Sequence, residues 1–266
     1  MSEFVEVAVR GAAAVVTLQR PEVLNAFHGP MLAQLEAAVR VAAADPAVVG
    51  IVITGAGRGF CAGLDAAALA ATAEAGSGSR REPDPDELAG LFSYLLQVPK
   101  PVIAAVNGVA AGGGFVLVAK CDLRFASTAA AFTTVFSKRG LIAEHGLSWL
   151  TPRQVGIGDA LDLLWSSRKI DAAEALRIGL VQRVVEPGSL LDDAVAYVNE
   201  LAATVSPNSL AVTKRLAYAH LGADMRSAFA EADVATYEAL DHPDVKEGVA
   251  SFVERRPPLF VRLGGA

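Results

Sequence analysis

The sequence predicts an α/β protein, and three stretches carry the prediction. Phe4 to Arg10 and Ala13 to Leu18 alternate apolar and polar residues on either side of Gly11, as a β-hairpin does. A helical stripe and then the apolar run Val48 to Thr54 come next, and strand, helix, strand in that order implies a partly parallel sheet. The third stretch, KPVIAAVNGVAAGGGFVLVAKCD from Lys100 to Asp122, joins a buried strand to a helix through glycines.

At 266 residues with 53% hydrophobic content, the chain has material for one large domain, or one domain with a helical appendage. No run approaches the length of a membrane span, and MSEFVEVAVR lacks the basic, apolar, small-residue order of a secretion signal, so a cytoplasmic location is expected and no membrane partner. Cys61 and Cys121 lie in apolar or glycine-rich surroundings without metal-ligand spacing; they read as reduced, buried thiols, and no metal is expected. A net charge of −6 argues against a nucleic-acid partner, which needs clustered Lys and Arg, but not against a small anionic ligand.

After the hairpin, RPEVLNAF (Arg20 to Phe27) is a polar-to-apolar turn, and Pro30 suits the first position of the helix it leads into. Leu32, Leu35, Val39 and Ala42 share one stripe of that helix, which Asp45-Pro46 ends. The turn after the buried strand, GAGRGFCAGLD (Gly55 to Asp65), is similar over Thr54 to Gly59 to the turn of short-chain dehydrogenases. That pattern wants glycine where Cys61 stands, and no Tyr-x-x-x-Lys pair follows any tyrosine, so nicotinamide binding is set aside. Ala71 to Glu87 is rich in Gly, Ser, Pro and charge and reads as a mobile loop at the pocket mouth or an insertion without function. Glu87 to Gln97 follows as a helix with Leu88, Leu91, Phe92 and Leu95 on one face.

Within the third stretch, Val102, Ile103 and Val106 form the strand, and Asn107-Gly108 marks a turn expected to need left-handed angles. Gly112, Gly113 and Gly114 then bare the backbone at a helix N-terminus, where unpaired N–H groups favour negative charge; close packing of helix on strand explains them equally. Downstream, Asp159 to Trp165 and Asp171 to Ile178 read as short helices, the second with an Asp171/Glu174 cap, and Val181 to Val185 as a last strand. Ser206-Pro207 opens another helix; the stripes Met225, Phe229, Ala232, Ala235, Ala239 and Val245, Val249, Phe252, Val253 mark the final ones. They carry more apolar surface than one another can hide, which fits subunit packing.

RPEVLNAF, GRGFCAGLD, and KPVIAAVNGVAAGGG followed by CDLRFAS, in that order and spacing, resemble the crotonase superfamily of enoyl-CoA hydratases and isomerases over nearly the whole chain. The resemblance implies a spiral of β-β-α units over residues 1–200 and a C-terminal helical region, 201–266, that builds a homotrimer, alone or as a dimer of trimers. It implies an acyl-CoA thioester substrate, no cofactor beyond the CoA that the substrate carries, and an oxyanion hole made by the N–H groups of Ala62 and Gly113. Ala26, Gly63, Leu64, Asp65, Gly112, Val116, Phe136 and Ile142 would complete the acyl-CoA site. Two preorganised donors are what an enolate intermediate needs.

Hydratases of the superfamily carry glutamates at the positions of Val116 and Phe136, and neither residue can take a proton. GLIAEHG, Gly140 to Gly146, is similar instead to the segment in Δ3,Δ2-enoyl-CoA isomerases that holds one glutamate, which makes Glu144 the implied proton shuttle. Taken without the resemblance, Glu144 reads as a surface acid beside a helix start. His145 reads as an orienting neighbour, His28, His220 and His242 as residues of helix surfaces or ends, and Trp149 and Trp165 as packing. Asp65 is an N-cap, an adenine-pocket residue, or both; Arg255, Arg256 and Phe260 are candidate CoA contacts or a solvated tail. Three functions stand: an enoyl-CoA isomerase, a hydratase working through Glu144 and a water, and a non-catalytic acyl-CoA-binding subunit.

Overall fold

The computed structural model describes residues 3–76 and 88–264. β1 (Val5–Arg10) and β2 (Ala13–Leu18) form the antiparallel hairpin. α1 (Gly29–Ala44) crosses to β3 (Gly50–Gly55), which lies parallel to β2. The chain then repeats a pattern: β3, β4 (Gly59–Cys61) and α2 (Ala66–Ala75); β5 (Val102–Val106), β6 (Val109–Ala111) and α3 (Gly113–Lys120); β7 (Leu123–Ser127) and β8 (Ala131–Thr133). Each repeat gives one strand to either of two sheets. After α4 (Leu147–Val155) and α5 (Ile157–Ser166) come β9 (Ile170–Asp171), α6 (Ala172–Arg177) and β10 (Arg183–Val185). The sheets run β1-β2-β3-β5-β7-β10 and β4-β6-β8-β9, which is the expected β-β-α spiral.

Strands buried on both faces explain the continuous apolar runs. Ile51 and Ile53 face the larger core with Met31, Leu35, Val39 and Ala42 of α1, whereas Val52 and Ile103 face a second core against α7 (Leu190–Thr204). No element was expected between Val185 and Ser206. α7 is nonetheless anchored by Leu190, Ala194, Val195 and Val198, a helical stripe that its acidic first turn and alanines obscure. In α1, Met31 takes the buried position, and Leu32 is half-buried. The Lys100 ammonium, buried, closes the end of α1 by donating to the carbonyls of Ala42 (3.2 Å) and Asp45 (2.6 Å).

Three local expectations are corrected. Residues 88–92 are not helical, and a single 3₁₀ turn spans Ser93–Leu96, because Gly90 (φ 107°) and Phe92 (φ 61°) both take left-handed backbone. Neither Asn107 nor Gly108 has positive φ. Gly108 is required by close approach instead, since a Cβ there would lie 2.1 Å from the Arg58 carbonyl. Of the expected loop Ala71 to Glu87, Ala71 to Ala75 close α2, and 77–87 lie outside the described residues.

α8 (Pro207–His220), α9 (Met225–Asp241) and α10 (Pro243–Glu254) complete the chain. Ser206 and Asp224 cap α8 and α9 through the N–H groups of Ser209 and Ser227. Lys214 fastens α8 to the core, donating to Asp122 (2.7 Å) and to the carbonyls of Leu95 and Lys100, and the Tyr218 hydroxyl donates to the same carboxylate. Beyond α8 the large residues of the apolar stripes stay uncovered, with Met225, Phe229, Val249, Phe252 and Val253 exposed, while Ala235 is buried.

Candidate active site

The RPEVLNAF loop is folded onto the glycine-rich turn by one side chain. Asn25, fully buried at φ 57°, donates to the carbonyls of Ala56 and Gly59 at 2.9 Å each and accepts from the Arg20 N–H. This places Phe27 alongside Leu64: the Phe27 N–H donates to Gly63 O at 2.7 Å and the Asp65 N–H to Phe27 O at 2.9 Å. The Arg20 guanidinium bridges the carbonyl of Ala26 (2.6 Å) and the carboxylate of Asp65 (3.2 Å). Asp65 also accepts from the Ala68 N–H as the cap of α2, and this bond, with the Arg20 contact second, lowers its pKa. The N-cap reading of Asp65 is met. Its Arg20 partner, 45 residues away, left no local signal.

The expected donor Ala62 is corrected here, because its N–H is bonded to Leu24 O at 2.9 Å. On the same segment the Gly63 N–H reaches Cys61 Sγ and the Asp65 N–H reaches Phe27 O, which leaves Leu64 N–H without an acceptor among the described residues. Gly113 opens α3, so its N–H has no intrahelical acceptor, whereas the Gly112 N–H donates to Thr133 O. Gly63 (φ 95°) packs between them: a Cβ on it would lie 2.8 Å from Ala111 O and 3.2 Å from Gly113 N. The unpaired amides of Leu64 and Gly113 are therefore neighbours. Gly114 allows the contact, since a Cβ there would meet Cys61 O at 2.1 Å.

Glu144 lies in the loop before α4, half-buried, and its carboxylate has no hydrogen bond or ion pair among the described residues. Burial raises its pKa. His145 Nδ1 accepts the Leu91 N–H at 3.2 Å, and burial, with the Lys120 charge second, lowers the imidazole's pKa. Phe92, next to Leu91, packs its ring on Phe27 at 5.1 Å, and Phe27 lies against Gly113. His145 thus ties the Glu144 loop to the Leu91–Phe92 segment, whose Phe92 ring packs on Phe27.

The pattern described as enoyl-CoA hydratase/isomerase matches residues 9–262. This chain belongs to the enoyl-CoA hydratase/isomerase family. It is an acyl-CoA enzyme of that family, and a crotonase-fold protein by structure as well. It is 34% identical to the 1,2-epoxyphenylacetyl-CoA isomerase of Escherichia coli, over 98% of this chain and 99% of that one. It is 33% identical to the short-chain-enoyl-CoA hydratase of Clostridium acetobutylicum, over 92% and 93% of the two chains. The crystal structure of an enoyl-CoA hydratase from Polaromonas sp. JS666 superposes with a TM-score of 0.88 at 31% identity, covering 96% of this chain and 99% of that one.

At the two positions where this family's hydratases carry glutamates, Val116 is fully buried in α3 and Phe136 is 6% exposed. Ile142, expected to line the acyl pocket, is 81% exposed and is no part of an enclosed wall in the single chain. Trp149 and Trp165 are also corrected: both are exposed, and Trp149 carries the Arg153 guanidinium 4.0 Å above its ring. Arg256 is held by Glu247 (2.9 Å) and Glu254 (2.6 Å), which removes it as a free phosphate ligand, while Arg255 is exposed in a left-handed helix cap. Phe260 packs against Gly248. His28 and His242 cap α1 and α10, and His220 ends α8. Among the described residues no three metal-binding side chains cluster, and no helix is long and apolar enough to cross a membrane.

Proposed function

We propose that this family member is an enoyl-CoA isomerase, shifting the double bond of a 3-enoyl-CoA to the 2-position with Glu144 as its one proton shuttle. The observation that carries this reading is that Val116 and Phe136, neither able to carry a proton, are buried, while Glu144 is half-buried, without a partner among the described residues, and has a raised pKa. Hydration needs one group to activate water and another to protonate the α-carbon. A 1,3-proton shift needs only one that reaches both carbons.

In this mechanism the thioester oxygen sits between the N–H groups of Leu64 and Gly113. The Glu144 carboxylate takes a proton from the α-carbon; the C–H electron pair becomes a C1–C2 double bond as the carbonyl pair moves onto the thioester oxygen, giving a dienolate, still carrying its C3–C4 double bond, whose oxygen the two amides hold. The carboxyl then returns the proton to the γ-carbon, leaving the 2-enoyl thioester. A raised pKa makes Glu144 a stronger base than a solvated glutamate. The Escherichia coli relative is named for isomerising an epoxide, a different reaction in the same broad class, and the hydratase names of others favour hydration through Glu144 and a water as the competing reading.

One assay separates them: purified protein is offered a 3-enoyl-CoA and a 2-enoyl-CoA. Isomerase activity forms the conjugated thioester from the first, and Glu144→Gln abolishes that reaction; consumption of the second by hydration would overturn the assignment. We further propose that the exposed faces of α9 and α10 join three chains, alone or as paired trimers.

A further inference from the structure

A cavity of about 810 Å³ lies beside Lys120, at the far end of α3 from the Leu64 and Gly113 amides, walled by the Ser93–Pro99 segment, the start of α4 and α8. Its walls are largely apolar, among them Leu88, Leu96, Val98, Trp149 and Val212, and its size falls within the roughly 300–1,000 Å³ of small-molecule pockets. Three cations interrupt this surface, Lys214, Arg215 and Lys120, the last residue of α3 and 4% exposed.

Lys120 differs from the other buried lysines. Lys100 donates to two carbonyls, and Lys214 has two carbonyls and the Asp122 carboxylate. The Lys120 ammonium, with three donors to satisfy, meets only the Ser93 hydroxyl at 3.2 Å, and no carboxylate pairs with it among the described residues. Arg215, also on the cavity wall, is already paired with Glu231. Lys120 makes no ion pair or hydrogen bond with Glu144. A buried ammonium whose one partner among the described residues is a hydroxyl leaves two donors without a protein acceptor beside a largely apolar pocket, which is costly. A ligand that fills the apolar space and brings its own anion would relieve this.

We propose that this cavity binds the carboxylate of an apolar chain, with the Lys120 ammonium as its counter-ion and the Ser93 hydroxyl beside it. The carboxylate has two possible sources, a free medium-chain acid or the far end of an acyl-CoA that carries a second carboxyl group. The site is read by binding and does not depend on which reaction the enzyme performs.

Trp149 lines the cavity, and Trp165, the other of the two tryptophans, is exposed, so Trp165→Phe leaves Trp149 as a local reporter. The full-length W165F protein is titrated with decanoate and with 1-decanol. Decanoate should give a saturable change in emission at about tenfold lower concentration than the alcohol, since a hydrogen bond to a charged group is worth at least that factor. Adding Lys120→Met should remove this preference, and Lys120→Arg should keep it, with thermal melts confirming that both variants fold. Equal binding of acid and alcohol, no saturable response to decanoate, or undiminished decanoate binding by K120M would each overturn the proposal. The CoA monothioester of decanedioic acid is then compared with decanoyl-CoA. If K120M weakens only the former, the carboxylate is the substrate's far end; if both thioesters bind K120M as they bind the parent while decanoate does not, the ligand is a free acid.

Discussion

The Cα of Gly63 stands so close to Gly113 that a Cβ on the former would lie 3.2 Å from the amide nitrogen of the latter. That contact, held by the bonds between Phe27 and the Gly63–Asp65 segment, sets the Leu64 and Gly113 amides side by side. Gly63→Ala therefore meets both a left-handed φ, which costs about 1–2 kcal/mol, and a clash with the Ala111 carbonyl. Turnover should fall by about 10²–10³, the usual loss for one oxyanion donor, while the melting temperature drops by only a few degrees. Steady-state kinetics beside a thermal melt check this; a G63A enzyme at the wild-type rate would count against the donor pair.

Glu144→Gln should lower kcat by about 10²–10⁴, the range for loss of a general base, and leave acyl-CoA affinity near the wild-type value. Because burial raises the pKa of Glu144, the rate should still be rising with pH above the range where a solvated glutamate has finished ionising. A pH–rate profile and calorimetric titration with a non-reactive acyl-CoA read the two effects separately.

The same shift has a stability consequence of definite sign. With its folded-state pKa above the unfolded one, Glu144 favours the native state fully below the unfolded value, and this contribution is lost as pH rises through the folded value. Glu144→Gln should accordingly be more stable than wild type at neutral pH and lose that advantage in acid. Urea denaturation at the two pH values tests it, and an advantage that does not change with pH would refute the burial of this carboxylate.

Asp122 accepts from Lys214, Tyr218 and the Val102 N–H at once. Asp122→Ala leaves the Lys214 ammonium, 9% exposed, without its counter-ion, so unfolding free energy should fall by about 3–5 kcal/mol. Chemical denaturation gives the value. A loss below about 1 kcal/mol would mean that this pair behaves like a surface one.

On α9 and α10, Phe229 and Phe252 are 74% and 84% exposed. If they form the trimer contact, placing aspartate at both should break the assembly while each chain stays folded. Sedimentation velocity should find wild type at about three times the 27.5 kDa chain mass, or about six times if trimers pair, and the double variant as a monomer. An unchanged sedimentation coefficient places the contact elsewhere.

Much of the molecule was legible because its signals are local. The apolar runs of β3 and β5, the stripe of α1, the Asp171 cap and the glycines before α3 each report on a few neighbouring residues. α7 was missed because its stripe is short and hidden among acids and alanines. The 88–92 segment was misread as helix because Leu88, Leu91, Phe92 and Leu95 have helical spacing, while Gly90 and the left-handed Phe92 break the helix that the spacing suggests. At the site, the glycine-rich turn and α3 were found in advance, but the amide expected to be free, Ala62, is bonded, and the one without an acceptor among the described residues lies two residues later, at Leu64.

By itself, then, the sequence determined the layered fold, the family, and the replacement of two glutamate positions by Val116 and Phe136, since each is written in residue type and order. Only the tertiary structure decided which amide on the 62–65 segment is unpaired among the described residues, that Arg20 joins Ala26 to Asp65, and that buried Lys120 has no carboxylate partner among the described residues. The physical reason is that a hydrogen bond or a buried charge is fixed by whatever the folded chain brings within about 3 Å, and at these positions the partner comes from a distant part of the chain or is absent from the described residues.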